Sequence, residues 1–459
     1  MCGILAFFDI NGKYTGTPEE LKALLAKLSQ RQGSRGPDHS GYFGGPCWGM
    51  AHERLSIMDP EHGAQPIVHE ADKIALVHNG EIYNFRALLE QHGITQESKT
   101  GSDSESLAGL YKHLGKDFVK QLNGIFGFVI TRELEDGKRE IYAARDHCGI
   151  KPLYMGTGKD GEVWFSSELK CIVDQDCTFM EFPAGHYWTP ETGFVKWYTP
   201  EWDEDSYVPT GDASIIRPIL EKAVRDQCMS DVPFGLLLSG GLDSAVVATI
   251  LKPIMEELGQ TYHTFSVGEP DSPDITAARI MSKHVGSTHH EHAFNADEAF
   301  AHIEDVIYHL ETYEPELIRS AIPNFFLARM TSKHVKVVLT GEGADELFGG
   351  YLYFRDAPDS TYFQKELRRI FHALHNVNCQ RADRMTMAHA LEARVPFLDP
   401  AVIDAVMKID PELKTITKDR PAEKHALRAA FEGMIPENVL WRTKAMQCEG
   451  VGMTWVPEL

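Results

Sequence analysis

The chain changes its hydrophobic rhythm near residue 205, and that change limits its fold more than any other feature. Over the first 200 residues, short apolar runs such as CGILAFFDI, IALVHNGEI, GIFGFVITREL, REIYAARD and VWFSSEL are bounded by Gly, Pro, Asp or Asn, as strands are. Helical spacing interrupts them at 18–31 and again at 102–115. Many strands with few helices predict a layered α+β domain. Residues 198–214 are acidic, contain two prolines and read as a linker. Beyond them, helices over 215–229, 244–258 and 277–286 alternate with strands over 233–238, 262–268 and 335–341. That alternation predicts a parallel sheet covered on both faces. The last 60 residues read as mostly helical, with 423–434 the clearest piece. The expected division is therefore a domain over 1–205 and a second over 206–459.

Composition narrows the function classes. A length of 459 residues suits two or three domains at roughly 100–200 residues each. Hydrophobic and charged fractions of 43% and 24% exclude global disorder. A formal charge of −22 excludes a nucleic-acid grip built on bulk positive charge. Any anionic substrate must be held by local donors against that field. The eight cysteines form no CxxC pair and predict reduced thiols in a cytoplasmic protein. No stretch approaches the roughly 20 apolar residues of a membrane span, and the start MCGILAFFDING is no signal peptide.

Cys2 follows the initiator Met. Removal of Met1 would place a thiol and a free α-amine on one residue, and that amine titrates near about 8, low enough to serve as a general base. Gly3 and the apolar run ILAFF fit a nucleophile at the head of a buried strand. Three more segments supply partners for amide hydrolysis. Arg54, in AHERLSIMDPEHGAQP, suits a carboxylate fork. In VHNGEIYNF, Asn79 and Gly80 offer two donors for an oxyanion, although Asn-Gly also reads as a hairpin turn. Asp103, in TGSDSE, suits a substrate ammonium. MCGI, RGPD, HERLSI, NGEIYN and TGSD, in this order, resemble the glutaminase domain of the class II, N-terminal-nucleophile amidotransferases. The resemblance implies a four-layer sandwich of two antiparallel sheets between helices. It also implies Cys2 as the nucleophile toward glutamine, Arg54 on its α-carboxylate, Glu81 and Asp103 on its α-amine end, and Asn79 with Gly80 on the oxyanion.

The second half carries a different chemistry. LLLSGGLDSAVVA is a strand, a glycine turn and a helix start, an arrangement whose N–H groups and dipole receive anions. Ser239 and Ser244 add hydroxyls, and Asp243 suits a metal. The turn is not GxxxxGK[ST], which disfavours γ-phosphoryl transfer. VVLTGEGADELFGGY crowds Glu342, Asp345 and Glu346 together, and Mg2+ with phosphate oxygens is the partner such carboxylates suit. Lys444 and the arginines of RADRMTMAHALEARVPFLD and WRTKAMQCEGVG are candidate phosphate or adenylate holders.

SGGLDS, FSVG, GEGADELFGGY, LEARVPFLD and WRTK…GVG, in this order, resemble the glutamine-dependent asparagine synthetases. The resemblance implies an adenine-nucleotide α-hydrolase-like α/β domain that cleaves ATP between its α and β phosphates. Leu238, Ser239, Gly240, Gly241, Asp243, Ser244, Val267, Thr340 and Gly341 would form its ATP site, with Asp243 and Asp345 on the metal. Glu342 and Lys444 would take part in catalysis, and Arg319 would meet aspartate. The implied substrates are glutamine, aspartate and ATP, in a cytoplasmic homodimer, with ammonia passing internally from the first site to the second. Departures from the family pattern are Ser34 before RGPD, Ala245 in the phosphate loop, Thr340, the run Ala445–Met446–Gln447–Cys448, and an end at Leu459 that is short for the family. Two alternatives follow from them: a related amidotransferase acting on another acid, and a truncated inactive homologue.

Overall fold

The computed structural model describes residues 2–444 and 450–452. The altered run 445–448 and the terminal residues 455–459 lie outside them. The chain forms two compact units, Met1–Thr199 and Pro200–Leu459.

The first unit is built on two six-stranded antiparallel sheets. Cys2–Asp9 runs inside the first sheet, between Trp48–Arg54 and Glu162–Ser166. Its alternation sorts the layers. Ile4, Ala6 and Phe8 pack with Ala75, Val77, Val129 and Ile141 of the second sheet. Leu5 and Phe7 point the other way, onto Leu21, Leu25 and Leu28 of the helix Pro18–Ser29. That helix starts where it does because Thr17 and Glu20 close a capping box, with Pro18 in its first turn. The outer face of the second sheet is covered by Asp103–Leu114, whose Tyr111 meets Phe118 and Tyr142 in an aromatic group. The result is the helix–sheet–sheet–helix stack that the resemblance implies.

Several strands were not legible. His39–Gly45 has the sequence HSGYFGG and forms an edge strand. Three glycines and a half-exposed face give it no apolar alternation to read. Asn79–Gly80 does not turn at all: it lies within the strand Ile74–Ile82. Gly80 adopts φ +144°, and a Cβ there would come within 1.9 Å of the Ile125 carbonyl oxygen, so only glycine fits.

The second unit holds a five-stranded parallel sheet, ordered Thr288–His292, His263–Val267, Phe234–Leu237, Val337–Leu339, Glu392–Arg394. The chain builds outward on one side of Phe234–Leu237, then returns to its other side. Ligands of open α/β sheets bind at such a reversal, beyond the carboxyl ends of the strands. Here that point lies between Phe234–Leu237 and Val337–Leu339. The segments leaving those two strands are the SGGLDS and TGEGADE runs.

The acidic stretch 198–214 is no loose tether. Trp202 is buried against the ring edge of Phe371, Arg368 donates to the Asp203 carbonyl at 2.9 Å, and Gly211 bridges to Ile409. The last strand, Glu392–Arg394, sits inside LEARVPFLD. Its Arg394 pairs with Glu392 at 2.6 Å with neither side chain exposed. Arg384 pairs with Glu311 at 2.9 Å. Both arginines serve the fold, which corrects their reading as candidate phosphate holders.

Candidate functional site

In the first unit the nucleophile candidate is fixed by its backbone. Cys2 is 7% exposed and lies opposite Arg54 in the sheet. The Arg35 Nε–H donates to the Cys2 carbonyl at 2.9 Å, and Arg35 is itself braced by Glu168 at 3.0 Å. Asn79 Oδ1 accepts from the Cys2 N–H at 2.9 Å, while its Nδ2 reaches Ser167 Oγ at 3.5 Å. The side chain offered for an oxyanion is thus bonded to the nucleophile's main chain, where it would also meet a terminal amine.

Arg54 donates to the carbonyls of Pro60 (3.0 Å) and Asp59 (2.8 Å), which shapes the 58–63 loop around the guanidinium. Asp59 in turn accepts from the Gly101 N–H at 2.8 Å and is held below the usual carboxylate range mainly by that bond. The TGSD segment is thereby tied to the Arg54 loop. Asp103 accepts from the Ile82 N–H at 2.8 Å, which sets the start of its helix beside the end of the Asn79–Gly80–Glu81 strand. Glu105 loses hydration by burial, yet bonds from His69, Thr100 and Lys99 outweigh that and bring it down to about 2.

Sequence reasoning missed the support behind these groups. His78 receives Gln65 on its backbone carbonyl and Ser104 on its ring, at 3.2 and 2.8 Å. His52 also meets the His78 carbonyl, at 3.2 Å, and burial pushes its imidazole down to about 3. No motif links these residues because the sheet, not the chain, brings them together.

In the second unit the turn after Phe234–Leu237 carries Leu238, Ser239, Gly240 and Gly241 into the helix Leu242–Leu258. Gly240 has φ +72°, and a Cβ there would lie 2.5 Å from the Ala278 nitrogen. Gly341 packs equally tightly, with a built Cβ 2.8 Å from the Ser244 nitrogen. Gly341 thus joins the two loops, while Gly240 seats the first turn on the helix Pro273–Val285. Ser239 and Ser244 hydroxyls meet at 3.1 Å. Val267 is buried in the neighbouring strand, and Thr340 Oγ1 accepts from the Glu342 N–H at 3.3 Å.

Asp243 and Asp345 converge on one cation. The Lys424 ammonium lies 2.6 and 2.7 Å from the two Asp243 oxygens and 2.9 Å from Asp345 Oδ1. Lys444 contacts the other Asp345 oxygen and sits 4.8 Å over the Tyr351 ring. Burial raises Asp243 despite Lys424, whereas for Asp345 the two lysines outweigh burial and hold it low. Lys424 is raised, because both carboxylates outweigh its desolvation. Lys424 went unnoticed in the sequence because it lies in EKHALRAAF, which reads only as a helix.

Glu342 is held by Arg381 at 3.0 and 3.1 Å. Glu346 is buried, bonded by Tyr351 and by Asn378 at 2.7 Å, and pushed up to about 7 by burial and by Asp345. Arg442 ties the glycine turn down, donating to the Gly240 carbonyl at 3.2 Å and to Asp274 at 2.6 Å. Arg319, on Pro315–Thr331, pairs with Glu316 at 3.2 Å; its buried Nε has no acceptor among the described residues.

Family models match both halves of the chain. A glutamine amidotransferase domain model matches residues 1–184, and an asparagine synthase model matches residues 216–362 and 355–457. The chain is 43% identical over 473 residues to asparagine synthetase [glutamine-hydrolyzing] 3 of Arabidopsis thaliana, covering all of this chain and 80% of that one. It is 43% identical over 477 residues to the root asparagine synthetase of Pisum sativum, with the same coverage. A probable asparagine synthetase of Dictyostelium discoideum is 42% identical over 488 residues, covering all of this chain and 86% of that one. With both halves matched in order and a full-length likeness above two fifths, the chain belongs to the family of glutamine-hydrolysing asparagine synthetases.

Proposed function

We propose that the chain makes asparagine from aspartate, ATP and glutamine, giving glutamate, AMP and pyrophosphate. The observation that carries this reading is the convergence of Asp243 and Asp345 on one cation position beside the glycine turn at the sheet's reversal point. Such a place suits polyphosphate with its cation, and the first unit of the same chain presents a buried thiol at a strand head.

In the first unit, the Cys2 thiolate attacks the glutamine carboxamide carbon. Ammonia leaves, and water then hydrolyses the thioester. Arg54 suits the glutamine α-carboxylate, Glu81 and Asp103 its ammonium, and Asn79 with the Gly80 N–H the oxyanion. In the second unit, the aspartate β-carboxylate displaces pyrophosphate from the α-phosphorus, and ammonia then displaces AMP from the acyl carbon. Backbone N–H groups from Ser239 to Asp243, with the Ser239 and Ser244 hydroxyls, suit the departing phosphates. Leu238, Val267, Thr340 and Gly341 suit the nucleoside. Lys444 and Glu342 suit charge on the reacting acyl group, and Arg319 is the candidate for the aspartate carboxylate.

Asp243 and Asp345 fit Mg2+: two hard oxygen donors already share a cation's place, and phosphate oxygens would complete the set. Bound there, Mg2+ would neutralise phosphate charge. The proposal includes a homodimer in the cytoplasm. Among the described residues no helix is long and apolar enough to cross a membrane. Pyrophosphate release should be measured with ATP, ammonia and a panel of carboxylic acids. Aspartate alone is expected to support it; turnover with another acid and not with aspartate would overturn the assignment.

A further inference from the structure

A cluster of histidines lies at the far end of the parallel sheet from the phosphate loop, where no step of the proposed reaction uses it. His263 opens the strand His263–Val267, and His334 precedes the strand Val337–Leu339. His290 stands on the edge strand Thr288–His292, opposite Phe265. His263 Nδ1 and His290 Nε2 are 3.0 Å apart. The His334 ring lies 4.0 Å from that of His290 and 6.1 Å from that of His263, centroid to centroid. Phe265 stacks behind His290 at 5.0 Å and fixes the ring's plane.

We propose that His263, His290 and His334 bind a divalent transition metal of the zinc, nickel or copper type. Imidazole nitrogens are the ligands these borderline ions take most readily. Two nitrogens each about 2.0–2.1 Å from a tetrahedral metal stand about 3.4 Å from one another; His263 and His290 share a hydrogen bond at 3.0 Å, which the metal would replace with a small separation of the rings and a change of tautomer or loss of that proton. The three rings do not hold their nitrogens together as they stand; His334 is exposed, and rotation of its side chain would bring a third nitrogen toward that pair.

Neighbouring groups leave the three available. His289 turns away to Thr264 (2.9 Å) and Ser266 (3.0 Å), and Glu291 turns away to Arg279 (2.7 and 2.8 Å). A second candidate, Asp146–His147–Cys148, brings its ligand atoms within 4.8 Å. There the carboxylate is already taken by the N–H groups of Phe126, Ile150 and Lys151. A metal on the histidines would clamp the edge strand to the strand ending at Val267 and to the turn feeding Thr340–Glu342.

Calorimetric titration of the full chain with Zn2+, in excess Mg2+, tests this in wild type, His334→Ala and the double variant His263→Gln/His290→Gln. Zinc bound at thiols or at the aspartates appears equally in all three and cancels. The wild type is expected to bind one more zinc than either variant, or to bind it at least about tenfold more tightly. Zinc should also raise its melting temperature more. His334→Ala alters an exposed side chain, so an unchanged melting temperature without zinc certifies its fold. Identical isotherms in the three proteins would overturn the site, whatever the outcome for synthetase activity.

Discussion

Lys424→Met removes the cation that Asp243 and Asp345 share. The lysine side chain is 3% exposed, and its ammonium makes three contacts of 2.6–2.9 Å with the two carboxylates. Deleting one partner of a buried ion pair costs about 3–5 kcal/mol, because an uncompensated charge stays behind. The two carboxylates keep 20% and 19% exposure and Lys444 still contacts Asp345, so the loss should fall at the low end, about 3 kcal/mol. For a unit of this size each kcal/mol moves the melting temperature by about 2–4 °C, giving a drop of about 6–12 °C. Two conditions should restore part of it. Mg2+ should raise the variant's melting temperature more than the wild type's, by taking the vacated place. Lowering the pH from about 8 to about 5 should also narrow the gap, for the following reason. Asp243 already sits above its ordinary value, and without Lys424 the folded state takes up its proton more readily still. Differential scanning calorimetry with and without Mg2+ reads all three effects. A loss below about 1 kcal/mol, or the same Mg2+ response in both proteins, would refute the shared-cation argument.

Other perturbations are sharper in sign than in size. His52 and His389 are held neutral by burial, down to about 3 and about 4 against 6.5 when exposed. The unfolded chain therefore binds more protons below about pH 6.5, and stability should fall there by up to about 1.4 kcal/mol per pH unit for each histidine. His52→Gln should flatten that slope in acid titrations of stability; an unchanged slope would exclude His52 as a source. Gly240→Ala forces a side chain into left-handed backbone at about 1–2 kcal/mol, on top of the 2.5 Å approach to Ala278. It should abolish ATP-dependent pyrophosphate release while glutamine hydrolysis continues, and full synthetase activity would show the loop is not where phosphates bind. Arg35→Lys loses the Nε–H bond to the Cys2 carbonyl. It should lower kcat for glutamine hydrolysis more than it raises KM, and an unchanged kcat would place the alignment of Cys2 elsewhere.

What the sequence made legible follows from where information is local. The proposed phosphate loop is one continuous strand–turn–helix, so its candidate residues could be named from order alone. Asp345 and Asp243 are 102 positions apart, yet each sits in its own dense motif and could be named as a candidate from it. Lys424 stands alone in a stretch that reads as helical over 423–434; the helix in fact spans only His425–Ala430, Lys424 precedes it in left-handed backbone, and only the fold carries it between them. Asn79–Gly80 shows the opposite failure. The local signal for a hairpin is genuine, but pairing along the whole strand from Ile74 to Ile82 overrides it. The arginines of LEARVPFLD and RADRM read as phosphate holders because charge suggests ligands. Burial shows that Arg394 and Arg384 instead neutralise Glu392 and Glu311 within the fold. The edge strand His39–Gly45 was invisible for want of apolar side chains, and Trp202 was lost in the acidic, proline-bearing stretch around it.

The central claim is that one chain draws ammonia from glutamine and spends ATP to place it on aspartate. It is tested most directly by supplying amide-15N glutamine, aspartate and Mg·ATP, and counting products in the wild type and in Cys2→Ala. The wild type should yield 15N-asparagine, AMP and pyrophosphate in equal amounts. Cys2→Ala should make no asparagine from glutamine, yet form it at an undiminished rate when ammonia is added. Asparagine from glutamine without Cys2, or pyrophosphate release that does not depend on aspartate, would contradict the account.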